Sequence, residues 1–145
     1  MSSYLNFYLV PKKKEGQEEE PKPLLFQSWS RNSNVYQAFD ENLSIVYVGN
    51  KEAYTDITPS IVKDVIECVE EDLKKVKKRL KETIKLFKDT AITSLEVYES
   101  YQNDCLSTQE YIEELEEQIA DLRGILTWVS DLEYTDFEKV LANIT

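Results

Sequence analysis

Between Val62 and Tyr98 the sequence places an apolar residue on every helical turn. Val62, Ile66, Val69, Leu73, Val76, Leu80, Ile84, Phe87, Ala91, Leu95 and Tyr98 recur with a mean step of about 3.6 residues, the period of a straight α-helix. Neither glycine nor proline interrupts positions 60–101, and Thr58-Pro59 opens the run with a capping threonine and a first-turn proline. The pattern predicts one helix of roughly 60 Å. A helix of that length needs a helical partner along much of its face.

The chain supplies a partner. "QNDCLS", residues 102–107, breaks the period, and Ser107 with Glu110 has capping-box spacing. Ile112, Leu115, Ile119, Leu122, Leu126 and Val129 follow in steps of three and four, a coiled-coil seam. An antiparallel hairpin is expected, turning near residue 104. Val69, Leu73, Val76, Leu80, Phe87, Leu115 and Leu122 are the expected interface residues, and at least a dimer is expected with residues 62–98 at or near its interface. Thr135 and Glu138 repeat the capping-box spacing before "FEKVLANI", read as a short C-terminal helix with Phe137, Val140, Leu141 and Ile144 turned to the core.

Ahead of the hairpin, "YLNFYLV" (4–10) and "LLFQSW" (24–29) read as strands. The loop "PKKKEGQEEEPKP" between them is a hairpin loop or a flap. Asn32 or Ser33 caps a short helix to about Glu41, and "LSIVYVG" (43–49) reads as a third strand. The fold class expected is therefore α+β. A small N-terminal antiparallel sheet (β-β-α-β, residues 1–57) precedes a long helical hairpin with a short C-terminal helix (58–145), the two forming one continuous folding unit.

Charge is uneven along this frame. With 28 acidic and 17 basic residues the net charge is −11, which repels nucleic-acid backbones unless the bases cluster. They do cluster in "KKVKKRLK" (74–81), while "EYIEELEEQ" (110–118) has five glutamates and no base. The basic run lacks interleaved aromatics, so nucleic acid is not the expected partner. A turn near residue 104 would set 74–81 opposite 128–135 and leave the two blocks offset. One reading is solvated helix faces with local pairs to Lys74 and Lys75. The other is self-association, two oppositely directed hairpins matching basic block to acidic block.

Histidine is absent, which removes imidazole bases, Ser-His-Asp arrangements and histidine metal ligands. Glycines 16, 49 and 124 cannot build a phosphate-cradling loop. Carboxylates are dense at Glu70, Glu71 and Asp72 and at Glu113, Glu114, Glu116 and Glu117, but they alternate around polar faces rather than converge as di-metal sites do. Cys68 and Cys105, roughly 50 Å apart along a single helix, would be reduced thiols, since a disulfide spans a Cα separation of about 7 Å at most. The expectation is a non-enzyme without cofactor or metal. No apolar stretch nears the ~20 residues that span a bilayer, and the start of the chain lacks signal-peptide character. A cytoplasmic protein that avoids membranes is expected.

One stretch stands apart. In "LLFQSWSRNSNVYQAF" (24–39), Ser33 and Asn34 suit a strand-to-helix joint. The same residues also suit a pocket. A helix N-terminus favours an anion, Arg31 can pair with it in bidentate fashion, and Trp29, Tyr36, Phe26 and Tyr47 can stack a base. Trp29, Arg31, Asn32, Ser33 and Tyr36 are the candidate ligand-binding residues, for a nucleotide-like small molecule.

The segments "SYLNFYLVPK", "SWSRNSNVYQAFDENLSIVYVGN" and "DFEKVLANI" together resemble small accessory proteins of phages and prophages of low-GC Gram-positive bacteria. The resemblance implies a phage protein made in a bacterial cytoplasm that binds rather than catalyses. The leading expectation is inhibition of a host defence factor by occlusion, with a homo-oligomer built on the hairpin. Sequestration of a nucleotide or other small ligand, and a role in the virion or its assembly, are the alternatives.

Overall fold

The computed structural model describes residues 3–42, 54–91 and 93–145. The alternation of Leu5, Phe7 and Leu9 produces β1 (Tyr4–Pro11), in which these three residues are buried, as is Val10 beside them. It pairs antiparallel with β2 (Leu24–Ser30), Leu5 opposite Trp29 and Phe7 opposite Gln27, with an irregularity between Phe7 and Tyr8. The strand expected at 43–49 and the ring of Tyr47 lie outside the described residues.

Ser33, not Asn32, caps α1 (Asn34–Glu41): its Oγ accepts from the Tyr36 N–H at 3.2 Å. A two-residue strand, β3 (Thr55–Asp56), leads into α2 (Pro59–Asp89). Thr58 caps that helix as expected, its Oγ1 accepting from the Ile61 N–H at 3.3 Å.

The long helix does not continue to residue 101. It ends at Asp89, and α3 (Leu95–Ser130) starts after Ser94, whose Oγ accepts from the Val97 N–H. Residues 102–107 are helical, so Ser107 and Glu110 form no capping box and lie inside α3. The break falls where Thr90, Thr93 and Ser94 crowd together. Such residues bond to nearby backbone and favour caps over helix interiors. Thr90 does so, donating to the Leu86 carbonyl at 2.7 Å. An antiparallel helical pair remains, with its turn moved back by about a dozen residues.

The C-terminal segment is also different. Phe137–Ile144 is a strand, β4, reached through a 3₁₀ turn at Leu132–Tyr134. Thr135 caps no helix; its Oγ1 donates to the Leu132 carbonyl and accepts from the Phe137 N–H. Val140, Ala142 and Ile144 alternate toward the core opposite Leu9, Phe7 and Leu5. The sheet order is β2-β1-β4-β3, all antiparallel, so β4 sits inside the sheet rather than beside it. On the other face Asn6 Nδ2 donates to Asn143 Oδ1 at 3.1 Å and Ser28 Oγ to Asn6 Oδ1 at 2.7 Å. This polar string spans β2, β1 and β4, where a one-residue slip would break every bond.

Helices cover one face of the sheet. A single buried cluster joins Leu5, Phe7 and Val140 to Phe39 of α1, Val62, Val65 and Val69 of α2, and Leu115, Leu122 and Val129 of α3. Burial then stops. From Lys77 to Asp89 and from Leu95 to Ser107 no described residue is fully buried, so the turn end of the hairpin projects as a two-helix arm.

Candidate binding cleft

Where β2 passes over α3, the layers do not close. A cleft of about 480 Å³ opens between them, lined by Phe7, Phe26, Gln27 and Trp29 from the sheet, Ser33, Asn34 and Val35 from the start of α1, and Ala120, Asp121, Gly124, Ile125 and Trp128 from α3. Phe26 and Trp128 stack across the gap with ring centres 4.8 Å apart and planes 7° from parallel. Trp29 stands edge-on to the buried Phe7 at 4.5 Å, which fixes the other wall. Both tryptophans of the chain therefore border this space.

Its electrostatics are those of an acid. Among the described residues Asp121 is the one charged side chain in the lining. Asn34 Nδ2 donates to Asp121 Oδ2 at 3.3 Å and to Glu117 Oε2 at 3.5 Å, holding two carboxylates beside the mouth. Of the five candidate ligand-binding residues only Trp29 and Ser33 line the cleft, joined by Phe26, which was named for stacking. Arg31 and Asn32 are exposed outside it, and Tyr36 is buried in the core. Ser33 is occupied as a cap, and its hydroxyl also donates to the Ser30 carbonyl.

Sequence reasoning missed Trp128, Asp121 and Gly124. The signal was present: Glu117, Asp121, Gly124 and Trp128 recur at steps of four, three and four, one stripe of α3 beside the apolar seam. Gly124 stands in mid-helix, where glycine costs about 1 kcal/mol relative to alanine. A Cβ built there meets no atom within 4 Å, so packing inside the chain does not require it.

Among the described residues β2 is an edge strand with nothing paired to its outer side. Leu24, Leu25 and Phe26 are 53%, 62% and 48% exposed, and no charge lies between Leu24 and Ser30. Edge strands are usually guarded by charge, proline or a covering element.

The interface residues named from the sequence lie within the chain's own seam. Val69, Val76, Leu115 and Leu122 are buried, Leu73 and Leu80 pack against them, and Phe87 stacks on Tyr101 at 3.4 Å. The expected charge offset is also corrected. Lys77 Nζ lies 3.8 Å from Glu116 Oε1, and Arg123 Nη2 donates to Glu70 Oε1 at 2.9 Å. Both contacts fix one register, in which the basic run 74–81 faces residues 112–119. The earlier turn brings the two blocks together.

Among the described residues no group of three or more Cys, Asp or Glu is arranged to hold a metal ion, and no helix is long and apolar enough to cross a membrane. Cys68 and Cys105 are free thiols. Burial, with the carboxylates of Asp72, Glu71, Glu67 and Asp64, pushes the Cys68 thiol above its ordinary range, which keeps it protonated and weakly nucleophilic. Compared with known proteins, the chain matches no family model, no curated protein and no solved structure.

Proposed function

We propose that the chain is a non-enzymatic binding protein of phage type that inhibits a host defence factor by occlusion, acting in the bacterial cytoplasm. The observation that carries this reading is the aromatic cleft set directly beneath an uncovered edge strand. Contiguous exposed apolar surface of this kind marks interaction sites in soluble proteins. The deciding experiment is capture from bacterial host lysate by the parent and by Gly124→Leu, followed by assay of the captured factor. Capture by the parent, loss with the variant and inhibition of the factor are expected. Capture that is indifferent to Gly124→Leu would move the working surface elsewhere.

A small-ligand reading has its own support, since the cleft lies within the volume range of ligand pockets. Its acidic lining favours a cationic or neutral aromatic ligand over a phosphate-bearing one. Mass spectrometry of the denatured protein tests it, because a co-purified small molecule would be released.

The homo-oligomer is proposed on new grounds. With the charge blocks already matched within one hairpin, the motive shifts to the projecting arm. There Leu86, Leu95 and Leu106 are 69%, 70% and 60% exposed. The α2 side of the arm carries Lys81, Lys85 and Lys88, and the α3 side carries Glu96, Glu99 and Asp104. Two arms packed with α2 of each against α3 of the other would bury the leucines and pair the charges.

A further inference from the structure

We infer that the partner presents an extended basic segment, which adds to the open edge of β2 as a further strand and places an arginine side chain in the cleft beside Asp121. The inference rests on the binding reading above and names the chemistry of the partner.

The backbone of β2 supplies the first half. Among the described residues β2 pairs only with β1, and α1, not another strand, follows it directly. Alternate residues of Leu24–Ser30 therefore turn their N–H and C=O groups outward along seven residues. An extended peptide satisfies such an edge through main-chain bonds, whatever its sequence. Side chains of the added strand alternate between the two faces of the sheet. Those on the helical face enter the space bordered by Phe26, Trp29 and Trp128.

The cleft supplies the second half. Aromatic faces attract a cation by their quadrupole, and a guanidinium both stacks flat on a ring and forks to a carboxylate, which an ammonium does not. Asp121 offers the carboxylate, steadied by Asn34. Gly124 leaves the floor open where a side chain would fit without clash. The net charge of −11 draws a basic segment at long range. A second copy of β2 fits less well. It has no cation between Leu24 and Ser30, so pairing β2 with β2 leaves Asp121 unanswered.

The test uses three synthetic peptides: seven residues alternating valine and arginine within threonine ends, the same peptide with glutamate for arginine, and the arginine peptide N-methylated at every second residue. Intrinsic fluorescence is the readout, because both tryptophans border the cleft. The arginine peptide is expected to bind at physiological salt, and the other two at least about tenfold more weakly. Asp121→Asn and Gly124→Leu are each expected to lose about tenfold in affinity, while Glu113→Gln, an exposed acid elsewhere on α3, leaves it unchanged. A melting temperature in Gly124→Leu no lower than the parent's shows that the loss is not unfolding.

Equal binding of the arginine and glutamate peptides, or undiminished affinity in Gly124→Leu, overturns the inference. So does a parent dimer that Leu25→Lys converts to monomer, since a second copy would then hold the edge. If the peptides fail but lysate capture still depends on Gly124, only the chemistry of the partner falls. If capture survives Gly124→Leu as well, the binding reading of this surface falls with it.

Discussion

Lys77 and Glu116 meet across the hairpin, Nζ to Oε1 3.8 Å apart, at the centre of the chain's most basic and most acidic runs. Both side chains are about half exposed, so the pair by itself contributes only about 0.2–1 kcal/mol. Its information lies in register. Lys77→Glu is expected to cost up to about 1 kcal/mol in urea unfolding by adding a charge to an acidic neighbourhood. Adding Glu116→Lys to that variant is expected to recover most of the loss. A double variant no more stable than the single one would mean that the two blocks do not face each other.

The projecting arm sets the assembly expectation. Light scattering at micromolar concentration is expected to give twice the chain mass of 17.0 kDa. Leu86→Glu with Leu106→Glu is expected to give the single-chain mass without lowering the melting temperature measured at high dilution. A monomer for the parent at both low and moderate salt rules the dimer out.

Ser33 and Arg31 separate structure from surface. Ser33→Ala is expected to cost about 1 kcal/mol, the usual loss when an N-cap oxygen is removed. Arg31→Ala is expected to leave stability within about 0.5 kcal/mol, as exposed substitutions do. Because Arg31 stands outside the cleft, it is also expected to leave binding unchanged. Lost binding in Arg31→Ala would restore the anion-site reading.

Glu41 gives a pH signature. Burial, then Asp72 and Asp40, push its carboxyl above the ordinary range. The folded state therefore holds this proton more tightly than the unfolded chain does. The resulting stabilisation is complete below the unfolded pKa of about 4.3 and is lost as pH rises through the higher folded value. Glu41→Gln is expected to melt slightly above the parent at pH 7, and the difference is expected to vanish by about pH 4. The effect is small because Glu41 remains exposed to solvent. A variant that melts lower at pH 7 contradicts the assignment.

Several elements were legible before the structure because local chemistry and tertiary demand agree there. β1 shows its alternation, Ser33 and Thr58 sit at caps, and Thr58-Pro59 marks a helix start to the residue. The turn at 90–94 was not legible. The apolar stripe passes through Ala91, Leu95 and Tyr98 in phase, and no glycine or proline marks the break. Only the cluster of threonine and serine does, a weak signal against eleven periodic positions. β4 misled for another reason. Val140 and Ile144 fall on one face under either a helical or a two-residue period. What decides is the otherwise unpaired edge of β1, a tertiary fact. Trp29, singled out from the sequence, does border the cleft, whereas Trp128 and Asp121 were hidden beside the seam of a helix whose boundaries were misplaced.

The interior position of β4 bears on how the chain comes to be made. Leu5 is paired with Ile144 and Leu9 with Val140. At about 5–20 residues per second, β1 leaves the ribosome on the order of ten seconds before its central neighbour exists. Through that interval β1 and β2 can form a hairpin, but it has an uncovered apolar face and two bare edges. The sheet cannot assemble in order of synthesis. It has to close around β4, which is made after the other three strands, and the rate of that closure is set by a contact between residues more than 130 positions apart. A ribosome stalled before Phe137 would thus hold a chain with nearly all its helices and no finished sheet.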